Sequence, residues 1–378
     1  MKIGIDKIAF YTPGFYIEQK ELAEARMTDP NKFLIGLGQT RMSVMPSFED
    51  PITMGAHAAQ MILTNENKKN IDLIIFATES GVDHSKAGAT FIHELLNLDQ
   101  RAKAIEIKQA CYGLTAGIQL AYGHLLRKPN SNVLIIGSDV ARYGLNTGGE
   151  PTQGAGAVAL LMSQNPSILT LETNTYEHTE NIYDFWRPNY SEAAFVDGHY
   201  SNEKYQEFFL KTYQGYLKEN HLTKKDFQAF CLHIPYTKIG LKALKSVLDE
   251  AEDKHLFDQY QLAVTYNKEV GNIYTGSLYL SLISLLEKGN LKAGDRIGLF
   301  SYGSGAVGEF FSGMIVKGYE NHLLEKQHES LLNQRQKLSI ETYEKVFNQK
   351  ETLKPNKNQV KYLYQGEREH KRVYEIIK

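Results

Sequence analysis

Cysteine is nearly absent from this chain: Cys111 and Cys231 are the only two in 378 residues. Two thiols cannot build the disulfide framework of a small secreted scaffold, and they suit a reducing compartment. Long apolar runs are missing as well. Stretches such as Leu73–Ala77 and Val133–Ile136 fall far short of a membrane span. Neither sign of charge dominates, with 42 Lys and Arg against 44 Asp and Glu and a net charge of −2. No global basic field therefore exists to attract nucleic acid, and an anionic ligand must be held by a local cluster. The opening MKIGIDKIAFYTP reads as a first strand and not as a signal peptide, because Asp6 and Lys7 interrupt any apolar core region. No H-x-x-x-H, C-x-x-C or clustered carboxylate pattern calls for a metal. What is present is ordinary for a globular protein, at 42% apolar and 23% charged. The expectation is a soluble, cytoplasmic protein.

Strand-like and helix-like stretches alternate. Strands are expected at Lys2–Tyr11, Leu73–Ala77, Ala104–Lys108, Asn132–Gly137 and Ala155–Met162, with helices at Met54–Leu63, Ala87–Leu98 and Leu114–Leu126. The alternation resumes with strands near Ser167–Thr173, Phe227–Ile234, Arg296–Tyr302 and Val307–Val316. Helices there cover Glu203–Glu219, Ile239–Leu248 and Ser277–Leu286. Such a pattern predicts an α/β fold of stacked layers around buried sheets. The second run also repeats the first. GAGAVA at Gly154–Ala159 matches GSGAVG at Gly303–Gly308, Glu79 and His233 each close an apolar strand, and CYGLTAGIQLAYGHLL resembles GNIYTGSLYLSLISLL. Three matches in one order, at similar offsets, predict two duplicated halves, residues 1–165 and 166–317, meeting face to face about a pseudo-twofold. The more polar residues 318–378 form an extension of helix and short strands, with a polar turn at Lys354–Asn358. Gly303, Gly305 and Gly308 also fit G-x-G-x-x-G. The residues that follow look like a strand and not a helix, so a turn between antiparallel strands is the better reading.

Three segments carry the chemistry: IDLIIFATES, IEIKQACYG and FQAFCLHIPYT. In each, an apolar run ends on a chemically capable residue, Glu79, Cys111 or His233. Strand ends are where open α/β proteins keep their sites. Cys111 precedes a helix rich in small residues, where unpaired N–H groups favour a thiolate, although a buried structural cysteine has the same signature. Glu79 follows LIIFAT, and burial there would raise its pKa toward general acid–base work; a capping or salt-bridged glutamate is the plain alternative. His233 alone would read as a satisfied core histidine, and its case rests on occupying the position equivalent to Glu79. Lys238, Lys242 and Lys245 share one helix face beside it, either as a phosphate site or as a solvated basic face.

Taken together, these residues resemble the hydroxymethylglutaryl-CoA synthase family, in its shorter bacterial form, within the thiolase superfamily. The resemblance runs from IGIDKIAFYTP to HKRVYE through ATESGVD, KQACYGLTAG, GSDVARY, GGEPTQGAGAVA, YDFWRPN, HIPYTKIGLKAL, EVGNIYTGS and SYGSGAVGEFF. It implies a thiolase-like fold and a mevalonate-pathway enzyme condensing acetyl-CoA with acetoacetyl-CoA. Cys111 would form an acetyl-thioester, Glu79 would remove a methyl proton, and His233 would polarise the acceptor ketone. Asp139, Tyr143, Thr147, Pro151, Asp184, Arg187, Asn272 and Tyr302 would bind or line the substrate pocket. Lys238 and Lys242 would meet CoA phosphates, and the N–H groups at Cys111 and near Ser304 the thioester oxyanion. The resemblance further implies a homodimer and no cofactor or metal. WRP in place of an aromatic–Lys–Pro sequence, and LYQGEREHKR near the end, are its departures. The rivals are a ketoacyl-synthase III-like enzyme, which needs no basic glutamate, a β-branching synthase using carrier-bound acyl groups, and a non-catalytic CoA-binding protein of the same fold.

Overall fold

A computed structural model of the chain describes residues 1–191, 193–356 and 360–377. Ten strands form one sheet: β1 (Ile3–Tyr11), β2 (Ile71–Ala77), β3 (Lys103–Ile107), β4 (Asn132–Ala141), β5 (Gly154–Gln164), β6 (Leu169–Leu171), β7 (Tyr176–Thr179), β8 (Ala229–Leu232), β9 (Arg296–Gly303) and β10 (Val307–Ile315). The order is β8-β9-β10-β6-β1-β5-β4-β2-β3, with β7 on β10. This order mirrors itself about the β1–β6 pair. On one side β2 and β4 run parallel and β4, β5 and β1 follow antiparallel. On the other, β8 and β9 run parallel and β9, β10 and β6 follow antiparallel. β3 at one edge and the off-path β7 lack counterparts. The duplication read from the sequence is therefore visible in the strand order. The half-sheets are also joined at their edges, through antiparallel pairing of Gly4 with Thr170 and Ile5 with Leu169.

The sheet faces sort the helices into layers. The helices used here are α1 (Pro51–Ile62), α2 (Gly88–Leu95), α3 (Gly113–Arg127), α4 (Gly198–Glu219), α5 (Thr237–Lys245) and α6 (Ser277–Lys288). One cluster gathers α3 and α6 with Ile75 and Ile135 of the first half and Cys231, Ile297 and Leu299 of the second. These two helices are therefore the shared middle layer. The outer faces are separate: α1 and α2 cover Ile74, Phe76 and Ile136, while α4 and α5 cover Phe230, Phe300 and Phe310. With helices on both faces, β2 reads IDLIIFA and β5 is apolar along nearly its whole length, as buried parallel and central strands require. Cys231 lies fully buried in the middle layer, as its place inside the run FCLHI suggests.

Local signals fix the boundaries. Asp50 and Thr53 form a reciprocal capping box around Pro51, which starts α1 three residues before the apolar pattern indicates. Gly303 to Gly308 is the turn region of an antiparallel hairpin, as the dismissal of a dinucleotide motif requires. In the extension, helices span Glu325–Asn333 and Ile340–Phe347, and a hairpin pairs Tyr362–Arg368 with Lys371–Ile376. The polar turn expected at Lys354–Asn358 lies partly outside the described residues. The hairpin docks through His57. Its Nδ1 meets the Thr53 carbonyl at 2.7 Å, which leaves Nε2 to accept the N–H groups of Lys361 and Tyr362 at 2.9 and 3.1 Å. Asp50 adds a second tie, accepting from Arg372 and the Tyr374 hydroxyl, each at 2.8 Å. Among the described residues, no helix is long and apolar enough to cross a membrane.

Candidate active site

The C-terminal ends of β3, β8 and β9 bring residues of both halves to one cavity of about 680 Å3; Glu79, after β2, does not line it and meets it through Cys111. Glu79 follows β2 by two residues, and Cys111 sits in the turn between β3 and α3. There the Cys111 thiol meets Glu79 Oε1 at 3.4 Å. Both side chains are ringed by protein. Burial, with the neighbouring Asp139 charge second, pushes the Glu79 carboxyl well above the usual range. Burial, and then the charge of Glu79, pushes the Cys111 thiol up as well. This corrects the thiolate expectation. The helix N-terminus is present, but the desolvated, acidic surroundings outweigh it, and the resting group is a thiol hydrogen-bonded to a carboxyl.

His233 enters from the other half, at the end of β8. Its backbone N–H donates to the Phe300 carbonyl at 2.7 Å, and its own carbonyl accepts the Tyr205 hydroxyl at 2.6 Å. Its ring is buried, lines the same cavity as Cys111, and is pushed down to about 3 by desolvation. Among the described residues nothing hydrogen-bonds its Nδ1. A buried polar atom without a partner costs about 1–3 kcal/mol, which a bound ligand or water recovers. Asn272 lines the cavity too. Its Oδ1 is occupied by the Tyr274 N–H and the Ser277 hydroxyl, both at 2.9 Å, so its amide group is turned toward Tyr143, at 3.3 Å.

The halves are stitched together beside these groups. Leu114, in the first turn of α3, donates its N–H to Thr275 Oγ1 at 2.6 Å, so one open donor of that helix is satisfied from the opposite half. Gly303 makes the junction possible, since a Cβ there would lie 2.6 Å from Tyr112 Cβ and 2.8 Å from the Gln109 carbonyl.

Of the other residues singled out, Tyr143, Thr147, Asn272, Tyr302 and Ser304 line the cavity. Asp139, Pro151 and Asp184 do not. The Asp139 carboxylate is fully engaged by protein donors: Thr78 Oγ1 at 2.8 Å and the N–H groups of Glu79, Ser80 and Thr275 at 2.9, 3.0 and 3.3 Å. It holds the Glu79 loop. Pro151 is buried behind Gly149 and Thr152, its carbonyl taken by Gln19. Asp184 anchors the turn after β9, accepting the Tyr302 hydroxyl at 2.7 Å and the Gly305 N–H at 2.9 Å. Arg187 hydrogen-bonds the Glu79 carbonyl from outside the wall. Lys238 and Lys242 stand on α5, whose neighbours Tyr236 and Ile239 reach the cavity while the lysines do not line it. Sequence reasoning missed much of the wall: Phe185, Ala194 to Val196, His199, Asn202, Tyr205 and Tyr274. YDFWRPN, which holds Phe185, and EVGNIYTGS, which holds Tyr274, were the signals among them. Among the described residues, no group of three or more His, Cys, Asp or Glu side chains could hold a metal.

A duplicated α/β body with a cysteine, a carboxyl and an imidazole at shared strand ends defines the thiolase-like class of condensing enzymes. Models of the hydroxymethylglutaryl-coenzyme A synthase N-terminal and C-terminal regions match residues 1–167 and residues 171–251 and 241–372. The chain is 50% identical over 351 residues to the hydroxymethylglutaryl-CoA synthase of Enterococcus faecalis, covering 92% of each. It is 32% identical to the polyketide-biosynthesis 3-hydroxy-3-methylglutaryl-ACP synthase of Bacillus subtilis, covering 91% of this chain and 87% of that one. A crystal structure of an HMG-CoA synthase complexed with CoA superposes with a TM-score of 0.95 at 42% identity, over 100% of both chains. The chain belongs to the hydroxymethylglutaryl-CoA synthase family.

Proposed function

We propose that this protein condenses acetyl-CoA with acetoacetyl-CoA and water into 3-hydroxy-3-methylglutaryl-CoA and CoA, in the mevalonate route to isoprenoids. The observation that carries the reading is the Cys111–Glu79 contact at 3.4 Å in a cavity that His233 also lines. In the first step Cys111 sulfur attacks the acetyl carbonyl. The thiol proton leaves with the departing CoA thiolate, so the acetyl group ends as a thioester on Cys111. The Glu79 carboxylate then removes a methyl proton, and the resulting enolate carbon forms a bond to the ketone carbon of acetoacetyl-CoA. A neutral His233 donates a hydrogen bond to the ketone oxygen as it gains charge, and the proton that Glu79 removed completes the hydroxyl and returns Glu79 to its carboxylate. Water finally cleaves the Cys111 thioester. The backbone N–H groups of Cys111 and Ser304 are assigned to the thioester oxygen in both acyl steps.

The remaining roles follow from position. Asn272, Tyr143, Thr147 and Tyr302 orient the acyl groups, and Lys238 and Lys242 hold CoA phosphates at the mouth. Asp139, Asp184, Arg187 and Pro151 shape the wall from behind. Both substrates arrive activated as thioesters, so the reaction calls for no metal or redox cofactor. Two free thiols suit a cytoplasmic setting, and the family likeness suggests a homodimer. Product mass spectrometry with acetyl-CoA and acetoacetyl-CoA tests the reading; finding no C6 hydroxy-acyl-CoA would overturn it. A second arm offers a carrier-bound 3-ketoacyl chain, because one relative is named for an acyl-carrier substrate. Faster turnover of that arm would move the assignment to the β-branching class.

A further inference from the structure

Glu309 is a carboxylate that the proposed chemistry does not use. It lies on β10, opposite Ser301 of β9, at 1% exposure. Its two oxygens face one helix: Oε2 accepts the Tyr112 hydroxyl and Oε1 the Gln119 side-chain amide, each at 2.5 Å. Tyr112 is the residue after Cys111, and Gln119 is seven positions further along the same helix face. Two ties at that spacing resist both sliding and rotation of α3. The same carboxylate belongs to the hairpin whose turn carries Ser304, so a single side chain links the cysteine turn of one half to the oxyanion turn of the other. Gln109 makes a weaker second bridge, donating to the Ser304 carbonyl at 3.3 Å. Stability alone does not call for this group. A buried carboxylate held by neutral donors carries a desolvation cost, and an apolar residue of similar size would fill the space without it. The nearest charged neighbour is Glu177, paired with Glu309 across β7, which adds like charge and no compensation.

We propose that Glu309 is a positioning residue for acyl transfer: through Tyr112 and Gln119 it fixes the turn bearing Cys111 against the hairpin bearing Ser304, setting the separation of the two oxyanion N–H donors. The inference rests on the reading of Cys111 as the acylated nucleophile. It is tested on the full chain by quenched-flow mass spectrometry of Cys111 acetylation by acetyl-CoA, with Glu309→Ala, Glu309→Gln, Tyr112→Phe and the Ala/Phe double variant. Misplacement of a reacting group by an ångström costs on the order of 100-fold, so Glu309→Ala and Tyr112→Phe should each slow acetylation by about 10- to 100-fold, with KM for acetyl-CoA held within about twofold. Glu309→Gln keeps an acceptor for Tyr112 and should recover most of the rate, and the double variant should be no slower than the worse single one. Wild-type acetylation rates in Tyr112→Phe and Glu309→Ala would overturn the proposal. So would losses that raise KM in step with a lowered Tm. If Glu309→Ala does not fold, Tyr112→Phe and Glu309→Gln still decide the question. Wild-type protein that never acetylates Cys111 would instead overturn the parent reading, and the clamp with it.

Discussion

The two halves place chemistry at equivalent strand ends and equip it in opposite ways. In the first half, Glu79 and Cys111 are in contact. Burial and then the Glu79 charge push the Cys111 thiol up. Burial and the Asp139 charge push the Glu79 carboxyl up, against the opposing Cys111 hydrogen bond. In the second, His233 stands alone, neutral, with Nδ1 unpartnered among the described residues. The difference traces to one strand. β3 flanks β2 and supplies the turn that carries Cys111, whereas β8, the counterpart of β2, is an edge strand with nothing beyond it. The side that gained a strand holds a thiol against a carboxyl. The side without one leaves the imidazole in the cavity wall beside α5. Duplication thus provides the geometry, and the unmatched β3 sets the two strand ends apart.

The sharpest way to break this comparison is Cys111→Ser. It should abolish the acetyl adduct and all condensation, measured by intact mass and product formation; a surviving adduct would place the nucleophile elsewhere. Glu79→Gln should keep acetylation within about tenfold and slow carbon–carbon bond formation by roughly 100- to 10,000-fold, read by single-turnover product analysis. Loss of both steps together would mean that the pair acts as one unit from the start. His233→Ala is expected to spare acetylation and to lower condensation by about 100-fold, with a raised KM for acetoacetyl-CoA. Equal effects on both steps would end the division between halves. Tyr205→Phe removes the hydroxyl that holds the His233 carbonyl and should cost about 1 kcal/mol in denaturant melts, with a smaller change in condensation than His233→Ala.

The mildest effect concerns the docked hairpin. Burial lowers the pKa of His57 from 6.5 to about 4, so the unfolded chain binds its proton more readily than the folded one. Its contribution is complete above about pH 6.5 and is lost as pH falls toward 4. Hydrogen exchange at Lys361 and Tyr362 should rise across that window in wild-type protein. In His57→Leu it should be raised and flat; an unchanged slope would assign the titration to another group.

The sequence makes the strand ends legible because an apolar run stopping on Glu79, Cys111 or His233 is a local signal. The repeat is legible because matched segments recur in one order. The join between the halves is not legible, since the short β6 is only Leu169–Leu171 and its pairing with β1 is set by the return of the chain. The cavity wall is hidden for a different reason. Phe185, Tyr205 and Tyr274 look like core residues, and only the approach of α4 and the 185–196 segment turns them toward a substrate. Asp139 and Asp184 each stand in a distinctive motif, but only the fold shows that their oxygens are engaged by backbone and hydroxyl donors. The thiol at Cys111 also shows that a helix terminus visible in sequence can be overruled by a carboxyl that only the fold brings near.

The shared middle layer has a further consequence for how this chain can be divided. α3 and α6 share one apolar cluster with strands of both half-sheets, so neither half owns a complete interior. A nick at the exposed Asn165, between β5 and β6, would sever the chain without freeing its parts. Separately expressed, each fragment would present a greasy flank and aggregate; mixed during refolding, the two should reassemble into an active noncovalent pair.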